Sequence, residues 1–251
     1  MILALAICVQ TSASVQTPAF ETHHRVKVRG ETIRYTALAG PTKMTNLGGD
    51  PIGEIFSFTY LKEGKPEARR PVMFVFNGGP GSSSIWLHMG VVGPRRVVLD
   101  REVDPSPVPP FRVEDNPDCL LDVADLVFID PVGTGFSRIL GKGRPEDFFG
   151  VDEDADSMAQ FIERWLTKHG RWDSPKFLMG ESYGSARAAL LPRALMGGPT
   201  YTGQLRGITV DGIVLLGTTM ESPANPVDED ERLARVSRAL PSLAATAWYH
   251  G

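Results

Sequence analysis

Short apolar runs separated by glycine- and proline-rich turns dominate the hydrophobic pattern of this chain. The first two runs, residues 24–40 and 52–64, alternate apolar and polar positions, which is typical of strands with one buried face. Arg29-Gly30 interrupts the first run and predicts a hairpin turn. Four later runs are apolar almost throughout, which indicates strands covered on both faces: residues 72–76, 125–130, 176–180 and 205–219.

Three segments place apolar residues at helical spacing. The first, residues 152–170, has acids in its first turn and Lys168, His169 and Gly170 at its end, as the helix dipole and a C-cap prefer. The second, residues 183–197, is rich in alanine and contains Pro192, where we expect a kink. The third covers residues 228–240. Antiparallel strands followed by buried strands that alternate with helices predict an α/β fold with a mixed sheet and a parallel centre.

Composition narrows the functional classes only slightly. Of the 251 residues, 42% are hydrophobic and 22% are charged, as in an ordinary globular protein. The net charge of −4 gives no reason to expect nucleic acid as a partner. Histidine, cysteine and carboxylate residues do not cluster at metal-ligand spacing, so the sequence predicts neither a metal ion nor another cofactor.

The first 20 residues resemble the end of a secretory signal. An apolar stretch is followed by small and polar residues, with a candidate cleavage point after Ala13. The stretch is too short to span a bilayer, so we expect no stable membrane association. Removal of the segment would take Cys8 away and leave Cys119 alone, without an intrachain disulfide. We expect an exported protein, periplasmic or extracellular.

Gly180-Glu181-Ser182-Tyr183-Gly184 follows one of the buried strands and precedes the alanine-rich helix. A serine between two glycines, at a sharp turn from strand to helix, is the context of a catalytic nucleophile elbow. The turn exposes the hydroxyl, and the helix start directs backbone N–H groups at a developing oxyanion. The alternative is a glycine-bounded loop with an inert serine.

A second glycine cluster, "FNGGPGSSS" at residues 76–84, ends another buried strand. In a hydrolase of this type, the second oxyanion donor comes from such a loop. A tight loop without further function is the simplest alternative. A phosphate-binding loop does not fit, because the Lys-Ser/Thr pair that it needs does not follow. Both glycine loops therefore indicate an acyl-transfer site.

These two motifs and "IDPVGTGFS" at residues 129–137, in this order, resemble those of the serine carboxypeptidases, which are α/β-hydrolases. The resemblance runs from about Glu31 to the end of the chain. "GESYGSARAA" and the scarcity of cysteine look more like a bacterial branch than like the vacuolar or plant enzymes. In the third motif the resemblance implies a wall of the substrate cleft, with Asp130, Gly133 and Gly135 shaping the loop.

The resemblance implies specific roles for the matching residues. Ser182 would be the nucleophile, and the backbone N–H groups of Gly79 and Tyr183 would form the oxyanion hole. Asn77 and Glu181 would bind the C-terminal carboxylate of a peptide substrate. Since a glutamic acid donates a hydrogen bond only when protonated, the resemblance also implies a preference for acidic pH. The alternatives are a turn cap for Asn77 and a solvated carboxylate for Glu181.

The other two members of a catalytic triad are not evident. In this fold the order along the chain is Ser, Asp, His, yet the one histidine after Ser182 is His250, in a poor setting for a base. The acids after Ser182 do not fit the triad either: Asp211 in the last strand, and Asp228 and Asp230 at a helix start. We expect the N-terminal part of a serine carboxypeptidase, cut before its Asp and His. Its hydrolase domain would cover residues 21–219, and residues 220–251 would begin a lid.

Two alternatives remain open at this point. An esterase or acyltransferase of the same fold would not need Asn77 and Glu181 to hold a carboxylate. An inactive, truncated homologue would bind peptides without turnover, and the missing triad partners favour that interpretation.

Overall fold

The structure is a computed structural model that describes residues 19–64, 69–99, 109–197, 205–218 and 228–250. The chain divides into two compact units, Met1–Thr218 and Thr219–Gly251. Residues 1–18, which make up most of the signal-like segment and include Cys8, lie outside the described residues.

Strands supply most of the first unit. In chain order, the described strands are β1 (Phe20–Val28), β2 (Glu31–Thr45), β3 (Pro51–Lys62), β4 (Val72–Phe76), β5 (Arg95–Val97), β6 (Val113–Asp115), β7 (Asp125–Asp130), β8 (Arg138–Ile139), β9 (Lys176–Glu181) and β10 (Gly212–Leu216). The described helices are α1 (Ile85–Leu87), α2 (Val151–His169), α3 (Tyr183–Met196) and α4 (Glu229–His250). A π-helical turn, His88–Val92, follows α1, and 3-10 turns occupy Leu120–Asp122 and Pro145–Asp147.

The main sheet has the order β1-β2-β3-β7-β4-β9-β10, and β8 pairs with one end of β3. β1, β2 and β3 are antiparallel, and the turn that joins β1 to β2 has positive φ angles at Arg29 and Gly30, as the predicted hairpin requires. β7, β4, β9 and β10 run parallel to one another. The predicted α/β fold with a mixed sheet and a parallel centre is therefore confirmed.

Both faces of the parallel strands are covered, which explains why β4 and β7 are buried along their whole length. One face packs against α2 and α3, with Phe74, Phe161 and Trp165 in its core. The other face, with Val75 and Phe128, is covered by Leu87 and the segment around Leu121. α2 ends at Gly170 in the left-handed conformation, which is the predicted C-cap.

The structure differs from the sequence-based prediction at the last strand and the last helix. Of the predicted strand at 205–219, only Gly212–Leu216 forms, and Asp211 precedes it rather than lying inside it. The Asp211 backbone N–H donates to the Lys176 carbonyl, and its side chain accepts from the Lys176 N–H. α3 continues through Pro192, and α4 continues through Pro241 to His250.

β10 and α4 both present apolar side chains to solvent. Within the described residues β10 pairs only with β9, and its Ile213 and Leu215 are 42% and 38% exposed, so β10 is an edge strand and not covered on both faces as the apolar run predicts. α4, which belongs to the second unit, exposes an apolar stripe of Leu233, Val236, Leu240 and Leu243. No helix in the described ranges is long and apolar enough to cross a bilayer.

His88 is a buried titratable group in the core next to α1. Its Nε2 lies 2.6 Å from the Tyr60 hydroxyl, and its ring stacks on Phe128 with centroids 4.3 Å apart. Burial lowers the pKa of His88 from its usual 6.5 to about 4 and raises the pKa of Tyr60. Both groups are therefore neutral in the folded protein near pH 6.

We expect His88 to make the fold sensitive to mild acid. Between about pH 6.5 and 4 the unfolded chain binds a proton at His88 that the folded chain does not, so stability falls as pH falls through this window. The contribution is on the order of 1–3 kcal/mol. His88→Gln should reduce the loss of unfolding free energy between pH 7 and 5, measured by chemical denaturation.

The exposed His24 supplies the control, since His24→Gln should leave the acid-induced loss as it is in the wild type. Burial, followed by the nearby Lys168 and Arg171, also lowers the pKa of His169 to about 4, so His88→Gln should remove only part of the loss. An unchanged loss in His88→Gln would contradict this assignment.

Candidate active site

The candidate site lies where β4, β7 and β9 end. Because these strands are parallel, their carboxyl ends meet at one edge of the sheet. The three sequence motifs are the loops that follow these ends: residues 77–84 after β4, 131–137 after β7, and 182 after β9. The topology thus brings together motifs that are separated by about a hundred residues in the sequence.

Ser182 occupies the strained turn that the elbow motif predicts. β9 ends at Glu181 and α3 begins at Tyr183, so the chain passes from strand to helix within one residue. Ser182 has φ 56° and ψ −125°, in the region that residues with a Cβ rarely adopt. Its N–H donates to the Leu216 carbonyl at 2.9 Å, and its side chain makes no capping hydrogen bond to the helix. The hydroxyl is therefore free to react.

The glycines around Ser182 allow two loops to touch backbone to backbone. A Cβ on Gly78 would lie 2.5 Å from the Tyr183 nitrogen and 2.6 Å from the Glu181 carbonyl oxygen. A Cβ on Gly180 would overlap the Gly184 carbonyl oxygen, and one on Gly184 would lie 2.9 Å from the Phe76 oxygen. Only residues without a Cβ fit at these positions, since real Cβ contacts are longer.

This contact puts the two proposed oxyanion donors side by side. Tyr183 is the first residue of α3, and its nitrogen lies against Gly78, directly before Gly79. In the part of the chain that the structure describes, neither the Gly79 N–H nor the Tyr183 N–H donates to another group. Two unpaired N–H groups beside a serine, one of them at a helix N-terminus, can stabilise a negative oxygen.

Asn77 and Glu181 form a direct pair beside the serine. The Asn77 side-chain nitrogen donates to a Glu181 carboxylate oxygen at 3.0 Å. The Asn77 side-chain oxygen accepts from the Leu87 N–H at 3.1 Å, which fixes the orientation of the amide. Asn77 is only 1% exposed, whereas Glu181 is partly exposed. The second amide hydrogen of Asn77 and the second oxygen of Glu181 can bind a ligand.

Asp130, at the end of β7, connects the loop at 131–137 to the loop at 77–84 by hydrogen bonds. Its carboxylate accepts from the backbone N–H and the hydroxyl of Ser84, at 2.8 and 2.7 Å. Burial raises the pKa of Asp130, and the two hydrogen bonds from Ser84 oppose that shift. Gly135 lies against the Asp130 side chain, and Gly133 against the Phe149 ring. These three residues shape the loop, which agrees with their predicted role.

The sequence analysis missed one buried ion pair at the site. The Arg187 guanidinium binds both carboxylate oxygens of Asp154, at 2.6 and 3.2 Å, and donates to the Asn77 carbonyl at 2.8 Å. In the sequence Asp154 is one of three acids in the first turn of α2, which the helix dipole explains without a partner. The position of Arg187 in the alanine-rich helix, five residues after Ser182, is the one available signal in the sequence.

The four histidines with described side chains contact groups other than Ser182. His88 contacts Tyr60, and His169 packs on Trp165 with ring centroids 4.5 Å apart. His23 contacts Glu63, and His24 contacts Thr22, both on the antiparallel strands. His250 ends α4, in the second unit. Among the described residues, no group of three or more His, Cys, Asp or Glu could hold a metal ion.

Comparison with known proteins gives relatives from fungi and a plant. The chain is 27% identical over 164 residues to a pheromone-processing carboxypeptidase of Fusarium vanettenii, an alignment that covers 63% of this chain and 24% of the relative. It is 30% identical over 148 residues to a serine carboxypeptidase-like protein of Arabidopsis thaliana, covering 57% of this chain and 31% of that protein. The chain thus spans less than a third of either relative. The bacterial branch stays a prediction.

A solved structure has the same fold. The crystal structure of a prohormone-processing carboxypeptidase from Saccharomyces cerevisiae aligns with a TM-score of 0.55 at 24% identity, and the alignment covers 72% of this chain and 38% of that one. A family model described as serine carboxypeptidase matches residues 51–216, which include the three loops of the site. The chain therefore belongs to the serine carboxypeptidase family.

Proposed function

We propose that this protein is a serine-type carboxypeptidase that releases C-terminal residues from peptides through an acyl-enzyme on Ser182. The hydrogen-bonded pair of Asn77 and Glu181, next to the Ser182 elbow, carries the proposal. An amide and a carboxyl group that share a hydrogen bond can each donate to one oxygen of a substrate carboxylate, provided that the glutamic acid is protonated. That requirement supports a preference for acidic pH.

The proposed reaction begins at Ser182. The Ser182 hydroxyl attacks the carbonyl carbon of the last peptide bond, and the resulting oxyanion accepts from the N–H groups of Gly79 and Tyr183. The leaving group is the C-terminal residue, whose carboxylate is held by Asn77 and Glu181. Water then hydrolyses the ester on Ser182. The proposal assigns proton transfer to a histidine outside the described side chains, oriented by an aspartate.

Peptide binding without turnover is a second candidate function. It is supported by the positions of the described histidines, each of which contacts other groups. Mass spectrometry of a peptide incubated with the protein separates the two functions, because only the enzyme shortens the peptide by its last residue. We further propose export, supported by the apolar and then small-polar pattern of residues 1–20.

We expect Glu181 to give the protein a higher affinity for peptides with a free C-terminal carboxylate than for peptides with a blocked one. In the Ser182→Ala protein, we expect a dansylated dipeptide with a free carboxylate to bind more tightly than its amide at pH 5. Glu181→Ala should lower that preference about tenfold, the effect of losing one charge-assisted hydrogen bond. Glu181→Gln keeps a hydrogen-bond donor and carries no charge, so it should retain more of the preference than Glu181→Ala. Fluorescence titration measures each affinity.

Equal losses for the acid and the amide would contradict a carboxylate site and would favour an esterase or acyltransferase. The exposed Glu153, on the first turn of α2, provides the matched control. Glu153→Ala removes the same charge elsewhere and should leave the preference unchanged.

Two glycines of one loop should respond differently to the same substitution. Gly78→Ala places a methyl group against the Tyr183 nitrogen and the Glu181 oxygen, so we expect a loss of about 1–3 kcal/mol in unfolding free energy. It should also weaken binding of the dansylated dipeptide. A Cβ on Gly81 meets nothing within 4 Å, so Gly81→Ala should change stability by less than about 0.5 kcal/mol. Similar effects of both variants would argue against the close loop contact.

A further inference from the structure

Arg187 is the largest fully buried side chain of the described residues, and its charge lies next to the site. Burying a charge is costly unless the charge is paired and its hydrogen-bonding groups are satisfied. Asp154 supplies the pair, through two hydrogen bonds to one edge of the guanidinium. The other edge donates to the carbonyl oxygen of Asn77 at 2.8 Å.

That carbonyl belongs to the peptide between Asn77 and Gly78. Within the described residues, Arg187 is its only hydrogen-bond donor. The oxygen is packed against the first turn of α3, since a Cβ on Gly184 would lie 3.0 Å from it. The next peptide along the chain contains the Gly79 N–H. The carbonyl itself belongs to Asn77, whose side chain is the proposed carboxylate-binding amide. A hydrogen bond to this peptide therefore restricts the position of both neighbouring groups, the proposed oxyanion donor and the proposed carboxylate-binding amide.

Arg187 also contacts the other oxyanion donor residue. The guanidinium carbon lies 5.3 Å from the centroid of the Tyr183 ring and 5.7 Å from that of Phe76, within the range of a cation–π contact. Phe76 ends β4, and Tyr183 begins α3. One side chain thus contacts both sides of the site.

We propose that Arg187, held by Asp154, is a positioning residue that orients the Asn77–Gly78 peptide and Tyr183 for binding the substrate carboxylate and the oxyanion. The role in catalysis rests on the proposed carboxypeptidase function, whereas the orientation of the loop does not. Lysine cannot replace this arginine fully, because it lacks the planar fork that binds Asp154 and Asn77 at once.

Arg206 provides a matched control. It too is buried, pairs with Asp156 and Glu163 of α2 at 2.8 and 3.1 Å, and donates to the Ala194 carbonyl at 3.1 Å near the end of α3. Arg206→Met removes a buried arginine that contacts the same two helices from the segment before β10, away from Ser182, with acidic partners that are more exposed than Asp154. It therefore reports the purely structural cost of such a loss.

The test compares Arg187→Met and Arg206→Met in the Ser182→Ala protein, at a temperature at which circular dichroism shows both folded. Hydrogen exchange followed by mass spectrometry should show at least fivefold faster exchange over residues 77–83 in Arg187→Met than in Arg206→Met. The preference for the free-acid dansylated dipeptide over its amide should fall about tenfold in Arg187→Met only. Arg187→Lys should restore part of the slow exchange over residues 77–83 and part of the preference for the free acid.

Equal exchange over residues 77–83 in the two variants would overturn the proposal, whatever the peptide result. If Ser182→Ala alone shows no preference for the free acid, the proposed function fails, and the exchange data still decide the positioning role of Arg187. If Arg187→Met does not fold, Arg187→Lys takes its place in the same comparison, with the same two outcomes.

Discussion

Backbone contact between the loop after β4 and the turn after β9 is the constraint on which the site depends. Gly78, Gly180 and Gly184 leave no room for a Cβ where the two segments meet. The contact places the Tyr183 nitrogen beside the residue that precedes Gly79. It also leaves a single residue, Ser182, to change direction between strand and helix, which accounts for its positive φ.

Close contact of this kind buries polar backbone groups, and each of them needs a partner. The Asn77 carbonyl accepts from Arg187, the Asn77 side-chain oxygen accepts from the Leu87 N–H, and Asp130 accepts from Ser84. Within the described residues, the backbone N–H groups of Gly79 and Tyr183, which the proposed reaction uses, donate to no other group. A site whose supporting groups are all satisfied is held in place before substrate binds, which lowers the cost of reaching the transition state.

The parallel centre of the sheet explains why these groups meet at all. Each motif is a loop after the carboxyl end of a buried strand, and the order β7-β4-β9 places the three ends next to one another. The family match covers β3 to β10 and therefore includes Ser182, the proposed oxyanion donors Gly79 and Tyr183, and the pair of Asn77 and Glu181.

The sequence by itself determined the features that depend on neighbouring residues. The hairpin at Arg29-Gly30, the buried strands β4 and β7, the helix that ends at Gly170 and the elbow at Ser182 all follow from local patterns of polarity and glycine. Prediction failed where packing overrode the pattern. Ile208 is buried against the core without joining a strand, so the apolar run at 205–219 forms only β10.

Only the tertiary structure decided which distant side chains become partners. Asp154 and Arg187 lie on different helices, and nothing in the sequence alone identifies them as partners. Asn77 and Glu181 are 104 residues apart, and the resemblance implied a shared role for them without showing that they touch. Such pairs form because folding removes water from both groups, and their cost when unpaired is a property of the buried environment, which no local stretch of sequence contains.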